Sequence, residues 1–245
     1  MHPPRPHLFG LLAGLFLAAA LCFAALVVAG AWTRISDARV IEVTGSARRN
    51  VQSDLVIWRA SFSTEAATLL DAQEHLKADR AKVETWLDAK GIKQRQVKPV
   101  RIRELTATMK SGDEEGAPRR VGYRLTQDLE IQSDQVARIP QLASESTDLL
   151  EQGVAFLSDG FSFIYSKANE AKVEMMAEAT KDARARAEQI ATQGGRAIKE
   201  LRSAHMGVIQ INPLHSGAAS WDGNNDTTSA EKTITATVNA SFSLR

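Results

Sequence analysis

The feature that constrains this chain most is an uncharged run of 24 residues near its beginning, from Leu8 to Ala31. As an α-helix rising about 1.5 Å per residue, this run is about 36 Å long, which is enough to cross the roughly 30 Å hydrocarbon core of a bilayer. A buried core helix normally keeps a polar face, and this run has none. We therefore predict a membrane anchor at residues 8–31, with a short tail at 1–7 before it and a globular domain at 36–245 after it.

A cleaved signal peptide is the alternative interpretation. Arg5 and the small residues Ala29–Ala31 fit a signal sequence cleaved after Ala31. Signal peptides, however, have apolar regions of only about 7–15 residues, which favours a retained anchor. The basic residues near the two ends of the run do not decide its orientation, because Arg5 and the amino terminus on one side balance Arg34 and Arg39 on the other.

Composition excludes several classes of protein. The chain has 30 Lys and Arg against 29 Asp and Glu, which argues against a nucleic-acid binder. The single cysteine, Cys22, excludes an internal disulfide framework and a cysteine-rich zinc site. Cys22 follows Leu21, where a lipoprotein site requires a small residue, so we interpret it as an ordinary cysteine of the apolar run.

The rest of the chain shows the two-residue periodicity of strands and the three-to-four-residue periodicity of helices. The predicted strands lie at 39–45, 56–63, 97–109, 120–132, 154–165, 204–211 and 233–244. The predicted helices lie at 66–90, 134–151 and 167–193, and a turn is expected at Gly45–Asn50. The order β-β-α-β-β-α-β-α-β-β predicts an α+β fold of antiparallel sheets with three helices, preceded by one transmembrane helix.

Two predicted helices carry unusual features. Pro140 is costly inside a helix, so the helix at 134–151 either begins near Ile139 or bends at the proline. The helix at 167–193 has Ser166 as its expected N-cap. One row of residues recurs every four positions along this helix and would let its backbone lie close to a neighbour. The row consists of Ala171, Met175, Ala179, Ala183, Ala187 and Ala191.

Few residues suggest a site. Trp58 is a binding platform or, as its alternating neighbours favour, a core residue. His75 shares a helical face with Asp71 and Asp79, which could hold a metal, but exposed polar faces are far commoner. The acidic residues Asp113–Glu115 lack the spacing of a calcium loop and indicate a solvated hairpin tip.

No recognised catalytic motif is present. The sequence lacks the phosphate-binding, dinucleotide-binding, zinc-protease and serine-hydrolase motifs, and its histidines lie in separate elements. We therefore predict no enzyme activity and no catalytic, cofactor-binding or metal-binding residue.

A long polar connection precedes the last strand. It runs from Asn212 to Lys232, and connections this long are usually functional or disordered. Its one large apolar residue is Trp221, so the connection is either a mobile loop or a contact for a partner. An uncapped strand edge or a helix face could also provide such a contact.

Two stretches resemble a known family. The first comprises residues 41–45 (IEVTG) and 51–58 (VQSDLVIW), and the second is the alanine-rich helix from Ala171 to Ile190 that ends at Gly194 and Gly195. Together with the Thr/Val alternation at the C-terminus, they resemble the SIMPL-domain family of bacterial envelope proteins, which includes periplasmic immunogenic proteins. The resemblance covers roughly residues 38–245.

The resemblance implies a periplasmic or membrane-anchored α+β protein without established enzymatic activity. Members are associated with oxidative and other stress, some assemble into rings or channels, and the eukaryotic namesake is an adaptor that associates with a kinase. We expect a single-pass protein of the bacterial inner membrane that faces the periplasm, forms homo-oligomers or binds another envelope protein, and uses no cofactor. The alternatives are a cleaved periplasmic protein, a hydrolase with a scattered site, or a small-molecule carrier.

The length of the apolar run makes a first prediction. Protein purified from membranes should have the intact mass of the whole chain, because the run is too long for a signal peptide. Mass spectrometry tests this, and a mass lacking residues 1–31 would instead identify a cleaved signal sequence.

Overall fold

A computed structural model describes residues 6–36, 40–111 and 114–245 of the chain. The chain forms two compact units. The first comprises Met1–Ala47, Met176–Gly207 and Thr237–Arg245, and the second comprises Arg48–Met175 and Val208–Ala236. Residue 113 of the predicted acidic tip and the first five residues of the predicted tail lie outside the described residues, whereas the backbone of Glu114 and Glu115 belongs to a strand.

The uncharged run forms most of helix α1, Pro6–Ser36. Its segment Gly10–Ala31 is long and apolar enough to cross a membrane and is fully exposed in the structure. The segment is assigned by its length and apolar composition, a test that a signal sequence near the N-terminus also passes. Cys22 is exposed on this helix.

Besides α1, the described residues of the first unit form three strands and part of one further helix. Strands β1 (Val40–Gln52) and β7 (Ile198–Met206) both pair with β10 (Glu231–Leu244), and helix α5 (Ala168–Gln193) contributes its part from Met176 onward. The β7–β10 pairing is antiparallel. The alternation predicted for the last strand is confirmed between Ile234 and Ala240, whereas Ser241 and Ser243 beyond it are buried together with Phe242.

Gly45 was expected in a turn, and that prediction is wrong. β1 continues without interruption to Gln52, and its burial alternates through Val43, Gly45 and Ala47. A Cβ at position 45 would overlap the carbonyl oxygen of Ala179 and the amide nitrogen of Ala183. The glycine is therefore required by the close approach of a helix and not by a turn.

The second unit contains a five-stranded sheet with strand order β3-β5-β2-β6 and with β4 also paired to β5. Its strands are β2 (Leu55–Ala66), β3 (Arg95–Val97), β4 (Arg101–Ser111), β5 (Glu114–Ser133) and β6 (Ala155–Ile164). Every pairing in this sheet is antiparallel. Two short strands, β8 (Gln210–Pro213) and β9 (Asn224–Asn225), also belong to this unit, where β8 pairs with the first part of β10.

Trp58 is a core residue, as its alternating neighbours indicated. Its side chain is fully buried, lies edge-on to Phe156 and donates a hydrogen bond of 2.9 Å from Nε1 to the Ser158 hydroxyl. Helix α2 (Leu69–Ala89) packs onto the same core through residues that include Leu76 and Leu87. The indole is thus held inside the unit and is not a binding platform.

The helix predicted at 134–151 is two helices, α3 (Arg138–Glu145) and α4 (Asp148–Glu151). Pro140 lies in the first turn of α3, where its missing N–H costs nothing, so the helix begins near Ile139 and does not bend. The break follows from Ser146 and Thr147, whose hydroxyls donate to carbonyl oxygens three residues earlier and compete with the helical pattern. The structure therefore has four helices after α1 instead of three, and the α+β class with antiparallel sheets is confirmed.

The predicted arm at 204–211 is also two strands, β7 and β8. The interruption includes Gly207, whose N–H donates a 2.9 Å hydrogen bond to the Thr237 carbonyl. A Cβ at Gly207 would overlap the Thr237 hydroxyl, so the chain passes too close to β10 for a side chain at this position.

The alanine row makes a prediction about stability. Ala179, Ala183, Ala187 and Ala191 are all buried. Ala183→Leu should lower the free energy of unfolding by about 1–3 kcal/mol, because the Gly45 backbone occupies the space that the larger side chain needs. Thermal unfolding of the whole chain in detergent should show a melting temperature several degrees lower.

Arg184→Leu is the matched control, since the Arg184 side chain is exposed and pairs only with Glu188 four residues away. It should leave the melting temperature nearly unchanged. Equal losses in the two variants would show that the alanine row is not closely packed.

Candidate functional site

One stretch of β1, Glu42–Thr44, borders two depressions within the first unit. Because Val43 and Gly45 point to α5, the side chains of Glu42 and Thr44 point to the opposite face of the sheet. On that face lies a depression of about 410 Å³. Its lining from the neighbouring strands is Ser203, His205, Asn239, Ala240 and Ser241.

Hydrogen bonds fix the polar floor of this depression. The Thr44 hydroxyl donates to Asn239 Oδ1 at 2.7 Å, and the hydroxyls of Ser203 and Ser241 lie 2.6 Å apart. These pairs join β1 to β10 and β10 to β7. The result is a polar sheet face whose side chains are largely occupied with one another.

The hydrolase hypothesis required a serine, a histidine and an acid in one pocket. Ser203, His205 and Glu42 do line the same depression. In the described part of the chain, however, the Ser203 hydroxyl is bonded to Ser241, and neither Ser203 nor Glu42 is hydrogen-bonded to His205. The three residue types are present without the nucleophile–base contact that would activate a serine.

The second depression lies between the outer edge of β1 and α5, and its volume is about 590 Å³. The helix contributes Arg186, Gln189, Ile190 and Gln193 to its wall. We call it the β1–α5 groove. Ile190 is 54% exposed, which leaves an apolar surface open to solvent beside the strand.

Asp182 closes one end of the β1–α5 groove. Its Oδ2 accepts hydrogen bonds of 2.8 Å from the backbone N–H of Ser46 and 2.8 Å from Nε of Arg186. The N–H of Ser46, followed by Arg186, holds the pKa of this carboxyl below its ordinary value. Asp182 on α5 thus accepts the N–H of Ser46, which is then not free to pair with another strand. The open edge of β1 therefore ends at Ser46.

The two aspartates of the possible metal site, Asp71 and Asp79, make other contacts. Asp71 caps the start of α2 together with Thr68, whose hydroxyl accepts its N–H. Asp79 lies 3.6 Å from Nζ of Lys82. Among the described residues, no three His, Cys, Asp or Glu side chains lie close enough to hold a metal ion.

The connection from Asn212 to Lys232 is ordered by its own hydrogen bonds. Asn212 donates to the Ala218 carbonyl at 2.5 Å, and the N–H of Ser220 donates to Gln210 at 3.2 Å. Gly223 provides the positive φ of 96° that the turn requires. Between these fixed points Trp221 is 91% exposed, so an ordered turn presents the indole to solvent.

A buried ion pair anchors the same connection. Lys232 is only 1% exposed, and its Nζ donates to the backbone carbonyl and the carboxylate of Asp226 at 2.5 and 3.1 Å. Asp226 also accepts from Thr228 and from the N–H of Ser229. Burial raises the pKa of Asp226, but these hydrogen bonds and Lys232 outweigh it and lower the pKa to about 2.

Asp54, which lies in one of the stretches that carry the family resemblance, has a structural role. Its carboxylate accepts hydrogen bonds of 2.7 Å from the N–H and 2.5 Å from the hydroxyl of Ser166. The prediction of Ser166 as the N-cap is therefore wrong, because its hydroxyl donates to Asp54 and the helix begins two residues later at Ala168. This contact, with Ser166 as its largest contributor, holds the pKa of Asp54 below its ordinary value.

The fold is that of an α+β protein preceded by an apolar helix. The family model of SIMPL, described as a protein of unknown function (DUF541), matches residues 41–242. The chain belongs to the SIMPL family. A search of curated proteins finds no match.

Sequence reasoning missed the β1–α5 groove and the Asp226–Lys232 pair. The alanine row and Gly45 were the available signals for the groove, because a strand glycine can mark a close backbone approach. Lys232 was assigned to the polar connection, and its position at the start of an alternating strand was the signal for burial.

The Asp226–Lys232 pair predicts a pH dependence of stability. Since the folded pKa of Asp226 lies below its unfolded value, its contribution is complete above about pH 4 and is lost as the pH falls towards 2. Asp226→Asn should lower the free energy of unfolding at pH 6 by about 2 kcal/mol. Denaturant unfolding at pH 6 and at pH 2.5 should show this difference shrinking at the lower pH.

Asp222→Asn is a suitable control for this experiment. Asp222 lies in the same connection, and the Ser220 hydroxyl is its bonding partner. It is exposed, so its loss should change stability little at either pH. A difference for Asp226→Asn that does not vary with pH would show that the carboxylate charge contributes nothing.

Proposed function

We propose that this protein is a non-enzymatic, membrane-tethered envelope protein that acts through protein contacts, chiefly by assembling with other copies of itself. The SIMPL domain and the apolar helix α1 fit a membrane-anchored envelope protein. The proposal adds an inner-membrane location, a domain that faces the periplasm, and a role in the response to oxidative or other stress. The observation that carries the protein-contact function is the exposed Trp221.

An exposed tryptophan on an ordered turn is suited to bind another protein. The turn is fixed before Trp221 by the bond from the Ser220 N–H to Gln210 and after it by the bond from the Asn224 side-chain amide to Asn212 Oδ1, so little conformational entropy remains to be lost on binding. Tryptophan is enriched among the residues that dominate binding energy at interfaces. A side chain that is 91% exposed can bury nearly all of its area in such a contact.

Charge and tethering support contact between copies. The chain has a formal net charge of +1, so long-range repulsion between copies is weak. An anchored chain is confined to the membrane plane, which raises its effective concentration towards other anchored copies. A contact of modest affinity therefore suffices for assembly.

Pairing through the edge of β7 is a less suitable contact. In the described part of the chain, β7 pairs only with β10, so its outer edge is open. The pairing is interrupted by two register shifts, between Ser241 and Phe242 and between Phe242 and Leu244. Bulges and charged side chains such as Lys199 and Glu200 are the features by which natural edge strands avoid pairing.

The carrier and hydrolase alternatives have weaker support. A carrier would need an apolar cavity between sheet and helices, and in the second unit buried side chains such as Trp58, Phe62 and Leu87 occupy that space. A hydrolase would need the Ser203 hydroxyl to form a hydrogen bond with His205 in place of its hydrogen bond with Ser241. Neither alternative makes use of Trp221.

The proposal predicts that assembly depends on Trp221. The full chain, solubilised in detergent, should sediment as an oligomer, and Trp221→Ala should shift it towards the monomer by at least about tenfold in dissociation constant. Analytical ultracentrifugation over a concentration series measures this shift. Leu150→Ala is the control, because Leu150 is also a large exposed apolar residue, at 55%.

Three outcomes would contradict the proposal in different ways. A monomer at every concentration would refute self-assembly. An oligomer that is equally stable with and without Trp221 would support self-assembly but would show that this side chain does not contribute to the contact. A loss of oligomer with Leu150→Ala alone would place the contact elsewhere in the second unit.

A further inference from the structure

The β1–α5 groove exposes main-chain hydrogen-bonding groups of an edge strand. In an antiparallel strand, every second residue directs both its N–H and its C=O to the same side. The N–H of Ser46 goes to Asp182 on α5, which places Ser46 among the residues that point away from β10. By the same alternation, Thr44 and Glu42 also direct their backbone groups into the groove.

The pairing of β10 leads independently to the same assignment. The Thr237 carbonyl accepts from Gly207, so Thr237 and Asn239 direct their backbone groups to β7, and Val238 and Ala240 direct theirs to β1. The side-chain bond between Thr44 and Asn239 places these two residues opposite each other. Thr44 therefore faces away from β10, in agreement with the position of Ser46.

The walls of the groove supply side-chain contacts along this open edge. Ile190 provides an apolar surface that is 54% exposed, and the stems of Gln189 and Gln193 extend it. The Glu42 side chain points to the face of the strand opposite Ile190, and the described contacts give its carboxylate no hydrogen bond or ion pair. Main-chain donors and acceptors, an apolar wall and an uncompensated negative charge thus border the same stretch of β1.

We propose that the β1–α5 groove binds a short extended segment of a partner polypeptide, which adds to β1 as a further strand. Main-chain hydrogen bonds to Glu42 and Thr44 would hold the segment, as in other cases of strand addition to a sheet edge. An apolar side chain of the segment packs on Ile190, and a basic side chain lies beside Glu42.

The closed end of the groove limits the length of the polypeptide segment that can pair with β1. Asp182 occupies the N–H of Ser46, so the open edge stops there and offers only a few residues of strand. A long strand of a second folded copy, paired along the whole of β1, would have to displace this contact. A short flexible segment or a chain terminus does not, and it is the occupant to which we commit.

This site is separate from the contact assigned to Trp221, so the two can fail independently. The probe is a fluorescein-labelled hexapeptide of alternating threonine and isoleucine that carries one lysine, tested with the full chain in detergent by fluorescence polarisation. We expect saturable binding, and we expect Trp221→Ala to leave it unchanged. No saturable binding would overturn the proposal.

Hydrogen exchange tests the main-chain contacts directly. The amides of Glu42 and Thr44 should exchange quickly in the free protein and slowly with the hexapeptide bound. A hexapeptide with N-methyl groups on the pairing side keeps its side chains and loses its donors, so it should not bind. Amides that are already protected in the free protein, or equal binding of the N-methylated peptide, would overturn the proposal.

Two variants test the walls of the groove. Ile190→Asp should weaken binding by about tenfold or more, whereas Val173→Asp, an exposed position on the same helix, should not. Glu42→Lys should reverse the charge preference, so that a hexapeptide with glutamate in place of lysine binds better. This gain of binding requires a folded protein, and unchanged preference in Glu42→Lys would overturn the proposed position of the basic side chain.

Discussion

The first unit depends on the contact between the backbones of α5 and β1. The two backbones approach so closely that position 45 has no room for a Cβ and that α5 presents only alanine methyl groups at Ala179 and Ala183. At this distance Asp182 reaches the N–H of Ser46, which a helix held further away by larger side chains could not do. The groove, its closed end and its apolar wall all follow from the absence of large side chains at one crossing point.

Periodicity predicted most of the fold, because buried side chains recur about every second residue in the strands and every three or four residues in the helices. The strand with Trp58, the last strand and the row ending at Ala191 were each assigned correctly for that reason. The predictions were wrong where the same residue type is compatible with two different local structures. Gly45 suggested a turn and instead permits a close approach, whereas Ser146 continued a helical pattern and instead breaks it by bonding to a backbone carbonyl.

The candidate sites were harder to predict, because each depends on residues that are distant in sequence. Glu42 and Ile190 lie far apart in sequence and meet only when α5 packs on β1. The sequence left two interpretations open for the connection that carries Trp221, a mobile loop or a contact for a partner. The order of its turn could not be predicted, since it depends on side-chain hydrogen bonds such as that of Asn212. Gly45 and the alanine row indicate that two backbones approach closely, but no local pattern in the sequence pairs Glu42 with Ile190.

The burial of Lys232 has a chemical consequence. Amine-selective reagents require an accessible lysine Nζ, and in the folded protein the Nζ of Lys232 is enclosed and bonded to Asp226. Lys232 should therefore resist acylation while the exposed lysines react. The rate at which Lys232 is acylated then reports how often the connection that carries Trp221 opens. Acylation of this one buried side chain therefore measures local unfolding of that connection.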